Sequence, residues 1–240
     1  MKKLIVTMCM DNWEPEITSQ TFALMRFHAA KIGADFKIID QRKNKHAPMC
    51  YERFQIYDMV DDYDWIIQLD ADLLMHPDMP DVTEFLSKDT ILISTWDWAT
   101  KRFKLDDYFR RDARHISVPG FFTVTSNWMK DFWRVPDDLT PEQAMSKCTP
   151  VVHEWNGRGL GAEHIVLDYI FSRNVARYGL KVLSLQELFQ KCSSGGRMPL
   201  NGIEDYIMHN SYLPLHQKKQ HIQQVLEKHW KLNPKEWEIK

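Results

Sequence analysis

Glycine and cysteine are both scarce in this chain, with nine and four among 240 residues. The cysteines (Cys9, Cys50, Cys148, Cys192) are scattered without a Cys-x-x-Cys spacing. That argues against a zinc knuckle or a disulfide framework and fits a reducing compartment. Glycine is missing from "MCMDNWEPE" (8–16), the stretch that closes the first apolar run, so no glycine loop is available there to cradle phosphates. No Gly-x-Ser-x-Gly occurs either. Long hydrophobic runs are absent as well, and none approaches the length of a membrane span. The opening "MKKLIVTMCMDNWEPE" has only a short apolar run, Leu4 to Met10, with Asp11 and Glu14 close behind it. It reads as a first strand rather than a leader. Net charge is close to nil, at −2. A nucleic-acid partner, which needs clustered excess Lys and Arg, is not expected.

What is present suffices for one full-sized core: 44% of the residues are hydrophobic, with no linker, charge block or internal repeat to divide them. A single domain over 1–240 is therefore expected. "KLIVTMCM" is a continuous, β-branched-rich run suited to an inner parallel strand. Pro15 stands where a helix can begin, Phe22, Met25, Ala29 and Ile32 recur at helical spacing, and Gly33 supplies a stop. "ADFKIID" reads as a second strand, 51–60 as a helix and "WIIQL" (65–69) as a third strand. Later strands are expected at 90–95, 120–125, 180–185 and 205–209, and helices at 162–173 and 217–229. The first half thus alternates β-α-β-α-β, the pattern of a mostly parallel α/β sheet with helices on both faces. The second half is less regular and is expected to continue the same sheet.

Directly behind "WIIQL" comes Asp70-Ala71-Asp72. In an α/β sheet, ligands gather beyond the carboxyl ends of the strands, and these two acids fall there. Residues two apart on an extended chain face the same side, so both carboxylates can converge on one object. Their mutual repulsion near an apolar sheet is costly unless a proton or a cation resolves it. Hard oxygen ligands at this spacing suit Mg²⁺ or Mn²⁺. The bland reading is an Asp-rich turn after a strand, since Asp is common in turns.

The segment "YERFQIYDMVDDYDWIIQLDADLLMHPDMPDV" (51–82) resembles the central segment of GT-A-fold glycosyltransferases that use nucleotide sugars, the glycogenin and lipopolysaccharide-galactosyltransferase types above all. Looser likenesses follow in the same order: "ISVPGFFTVTSNWMKDFW" (116–133), "GAEHIVLDYIF" (161–171) and "YIMHNSYLPLHQKK" (206–219). The chain departs from those families at Val118-Pro119, where Asn is frequent, and at Glu163-His164, where Asp-Gln is usual. Both departures fall on the parts that handle the acceptor and the anomeric centre.

The resemblance implies a GT-A-like fold, with residues 1–95 as a nucleotide-binding half and 96–240 as an acceptor half. It implies a donor that is a nucleotide sugar, a UDP-sugar first, and a carbohydrate acceptor. By the same likeness Asp72 would be the more direct metal ligand, Asp70 a ligand to metal or ribose, and His209 a third ligand. Lys218 (with Lys219) offsets the diphosphate charge. Asp11, Asn12 and Trp13 shape a pocket for the base, and Arg53 either contacts the diphosphate or pairs with Asp62. Glu163, at the head of a helix, is the candidate catalytic carboxylate, either as the base beside the acceptor hydroxyl in an inverting enzyme or as a group on the opposite sugar face in a retaining one. Its plain alternative is a first-turn acid favoured by the helix dipole. Trp96-Asp97-Trp98 would open onto the cleft, while most of the nine tryptophans are expected in the core. A soluble, cytoplasmic protein is expected, with peripheral membrane association as the alternative.

Rival readings are weaker. A haloacid-dehalogenase-type phosphatase also carries Asp-x-Asp after a strand, but it wants Thr or Val where this chain has Leu74, and the motif usually follows the first strand. A nucleotidyltransferase would need the missing glycine loop. A non-catalytic sugar-nucleotide binder would keep the same fold.

Overall fold

The computed structural model describes residues 1–43, 49–94, 121–140, 143, 146, 162–194, 206–209 and 213–232; within the helices, the side chains of 162–166, 168, 191, 193 and 194 lie outside that set. Strand β1 (Lys3–Met8) runs through the core with Leu4, Ile5 and Val6 fully buried. Helix α1 (Pro15–Ile32) starts with proline in its first turn, where the missing N–H costs nothing. It ends at Gly33, whose φ of +65° places the cap in the left-handed region. Its inner face presents Phe22, Met25 and Ala29 to the sheet. Burying Phe22 and Met25 contributes about 1.5–3 kcal/mol each.

Strand β2 (Ala34–Ile39) and strand β3 (Trp65–Leu69) both pair parallel with β1. Between them lies Met49–Asp62, helical as expected but wound as a 3-10 helix, with Cys50 to Gln55 all buried. Strands β5 (Thr90–Ile93), β6 (Phe122–Ser126) and β7 (Lys181–Ser184) complete a six-stranded sheet of order β2-β1-β3-β6-β5-β7. Only β6 runs against the rest, so the sheet is mostly parallel with helices on its faces. This is the expected α/β class.

The second half departs from expectation in one respect. Strand β8 (Ile207–His209) does not extend the main sheet; it pairs antiparallel with β4 (Leu73–Met75) in a separate two-stranded ribbon. The register sets Leu73 opposite His209, directly after Asp72. Helix α2 (Ala162–Tyr178) runs longer than expected. Helix α3 (Leu185–Ser194) was not expected at all. Helix α4 (Leu215–Gln224) continues as a π-helical turn, Val225–His229, which packs Val225, Leu226 and Trp230 with Ile17, Leu24 and Leu74. The ribbon and α4 are thereby anchored on α1. Among the described residues, no helix is long and apolar enough to cross a membrane.

Candidate functional site

The turn Asp70–Asp72 joins the carboxyl end of β3 to β4, and three backbone contacts hold it. The Asp70 N–H donates to the Phe121 carbonyl at 2.9 Å, and the Leu73 N–H donates to the Asp70 carbonyl at 3.1 Å. From α1, the buried Thr21 hydroxyl donates to the Ala71 carbonyl at 2.6 Å. A turn pinned at its middle residue presents its two carboxylates in a fixed orientation.

Each carboxylate then meets partners from distant parts of the chain. Asp70 Oδ1 accepts from Arg53 Nη2, on the buried part of the 49–62 helix, and weakly from Gln68 Nε2 at 3.4 Å. Asp70 Oδ2 lies 3.6 Å from His209 Nε2. Asp72 Oδ1 lies 3.2 Å from the same nitrogen, and Asp72 Oδ2 accepts from Lys218 Nζ at 2.6 Å. Burial acts to raise the pKa of Asp72, but the hydrogen bond and charge of His209, then of Lys218, outweigh it. The Asp72 carboxyl is held well below the ordinary range and is ionised at neutral pH, the form a metal requires.

Sequence reasoning treated the paired acids as needing an outside cation. The structure shows that the chain itself supplies two, Arg53 to Asp70 and Lys218 to Asp72. Arg53 pairs with Asp70, a partner the sequence did not suggest. The acids and these cations balance, so a divalent ion entering here would leave two positive charges in excess. A diphosphate would match them.

The donor set fits such an ion. One ligand atom each from Asp70, Asp72 and His209 lies within 4.8 Å of the others, two hard carboxylate oxygens and one imidazole.

Of the other candidates, Trp13 joins the cluster through Lys218, whose ammonium sits 5.7 Å from its ring centre. Asp11 and Asn12 are exposed on the loop after β1, with φ of 53° and 52°, followed by Glu14 at 45°. Three left-handed non-glycine residues in four positions is a costly arrangement, and such strain concentrates at ligand sites. Glu163 lies on the first turn of α2, but its side chain is outside the described residues. Trp96, Asp97 and Trp98 are outside them too. Trp133 is buried in the core, whereas Trp128 is 68% exposed.

Sequence reasoning overlooked Gln68, Thr21 and Phe121. Gln68 had a signal, being the one polar residue in "WIIQL". Phe121 had none, because its contacts depend on β6 pairing antiparallel to β3.

No family model matches the sequence, and no curated protein matches it. Solved structures do match. A glycosyltransferase involved in glycosylation of the major capsid of PBCV-1 superposes with a TM-score of 0.51 at 12% identity, over 94% of this chain and all of that one. The catalytic domain of Drosophila beta1,4-galactosyltransferase 7, in complex with xylobiose, follows at 0.47 and 15% identity, over 92% of this chain and 79% of that one. The galactosyltransferase LgtC, in complex with donor and acceptor sugar analogs, gives 0.43 and 11% identity over 75% and 72%. At such identities the first superposition shows a shared fold, the GT-A-like α/β architecture, and the other two add nothing to it.

Proposed function

We propose that this chain is a metal-dependent glycosyltransferase that moves a sugar from a nucleotide-sugar donor, a UDP-sugar first, to a hydroxyl group of a glycan acceptor. The convergence of Asp70, Asp72 and His209 at the carboxyl edge of the sheet, flanked by Arg53 and Lys218, carries this reading. Glycosyl transfer passes through an oxocarbenium-like sugar while a nucleoside diphosphate departs with growing negative charge. Mn²⁺ or Mg²⁺ held by the two aspartates and His209 would supply Lewis-acid stabilisation of that leaving group.

The chain's own residues do the rest. Arg53 and Gln68 restrain one oxygen of Asp70, which leaves its other oxygen toward His209. Lys218, on the first turns of α4, is placed to transfer from Asp72 to a phosphate oxygen. Trp13 offers a flat face to the base, with Asp11 and Asn12 beside it as hydrogen-bonding groups. Glu163, heading α2, is our candidate for the carboxylate at the acceptor, and residues 96–240 form the acceptor half.

The test is a panel of nucleotide sugars with Mn²⁺ or with chelator, read as melting temperature and then as donor hydrolysis. A ligand that binds the folded state raises its melting temperature with occupancy. A UDP-sugar is expected to do so with Mn²⁺ and to lose the effect with chelator. No shift from any nucleotide sugar under either condition would refute the proposal. Glu163→Gln separates an enzyme from a simple binder: turnover falls while the donor-induced shift remains.

A further inference from the structure

We infer that Phe121 is a positioning residue for the candidate metal site, acting through the ring of His209. The inference rests on the metal-site reading above. A histidine that binds a metal through one nitrogen is ordinarily oriented by a hydrogen bond from its other nitrogen. His209 departs from that pattern. Its Nε2 faces both aspartates, while its Nδ1 is buried and has no hydrogen-bond partner among the described residues. Rotation about the Cβ–Cγ bond would carry Nε2 away from the carboxylates, and no hydrogen bond at Nδ1 opposes it.

The Phe121 ring lies against that imidazole. The two ring centres are 4.6 Å apart and the planes are inclined by 32°. An aromatic face at that separation is in van der Waals contact with the imidazole and limits its rotation sterically. The same residue holds Asp70, through its backbone carbonyl. Phe121 therefore touches two of the three candidate ligands, one by its ring and one by its main chain. Only the ring is lost on substitution, so the two contacts can be separated.

Phe121→Leu removes the aromatic face and keeps the carbonyl; Phe121→Tyr keeps both. The measurement is Mn²⁺ affinity by calorimetry in the presence of saturating UDP, whose diphosphate balances Arg53 and Lys218, on wild type and both variants. Melting temperature without metal is recorded for each. Loss of an orienting partner typically weakens metal binding by about 10- to 100-fold, so Phe121→Leu is expected to weaken Mn²⁺ binding by about 10-fold. Phe121→Tyr is expected to restore it to near the wild-type value. The metal-free melting temperatures of wild type and Phe121→Tyr should agree.

Unchanged Mn²⁺ affinity in Phe121→Leu would overturn the inference. So would equal weakening in both variants, because the aromatic face would then not be the operative feature. If Phe121→Leu does not fold, Phe121→Met takes its place: weakened Mn²⁺ binding beside a wild-type-like Phe121→Tyr supports the inference, and unchanged binding overturns it. A wild-type protein that binds no Mn²⁺ even with UDP present refutes the metal-site reading itself, and the role of Phe121 with it. That outcome is distinct from a wild type that binds while Phe121→Leu binds equally well.

Discussion

The two edges of the central sheet handle charge in opposite ways. At the amino edge, lysines and aspartates form separate pairs: Lys88 with Asp64 is partly exposed, Lys181 with Asp89 is well exposed, and Lys3 with Asp81 is largely buried. At the carboxyl edge, Asp70, Asp72, His209, Arg53 and Lys218 form one connected cluster, each side chain less than one-fifth exposed. Exposed pairs are screened and contribute little, whereas charges withdrawn from water interact strongly and cost much to hold there. A chain retains such a cluster for stability only when every member is satisfied. Here the His209 Nδ1 is not, within the described residues, a trait it shares with His28 Nδ1 at the amino edge; what sets the cluster apart is the convergence of two carboxylates and an imidazole.

The sharpest way to break this contrast is Asp72→Asn. Loss of even an outer partner of a metal ligand costs about 10- to 100-fold in affinity, so loss of the ligand itself is expected to cost at least about 100-fold. The Mn²⁺- and UDP-dependent rise in melting temperature should vanish in this variant. A persistent rise would remove Asp72 from the site.

A second effect, of comparable size, belongs to the amino edge, where one buried histidine lies near Lys3 and Asp81. Burial, then the charge of Lys31, lowers the pKa of His28 to about 4, from 6.5 in the unfolded chain. Between those values the unfolded chain takes a proton that the fold refuses. The contribution is therefore whole above about pH 6.5 and is lost as pH falls toward about 4, by about 3 kcal/mol in all. Denaturant unfolding across that range should show the decline, and His28→Leu should flatten it. The smallest effect is expected from Lys181→Ala, which breaks an exposed pair and should leave both melting temperature and metal binding unchanged.

Legibility in the sequence followed local contacts. The three strands and first helix of residues 1–69 could be read because apolar runs, Pro15 and Gly33 mark them without reference to the rest of the chain. Helix α3 was also marked, by Leu185, Leu188, Phe189 and Cys192 at helical spacing, but a strand read through Leu185 hid its start. Strand β4 is three residues long, too short for any periodicity. At the site, Asp70 and Asp72 were visible as a motif, and the likeness of "YIMHNSYLPLHQKK" brought in His209 and Lys218. What no local pattern could show was the ribbon register that sets His209 beside Asp72, or the pairing of Arg53 with Asp70. Both depend on contacts between segments far apart in the chain.

The most direct test is anomalous diffraction from crystals soaked in Mn²⁺ and UDP. One manganese peak is expected among Asp70, Asp72 and His209, with a diphosphate oxygen on it and Lys218 moved from Asp72 to the phosphate. A map with no manganese at that corner, and Lys218 still bound to Asp72, would contradict the account.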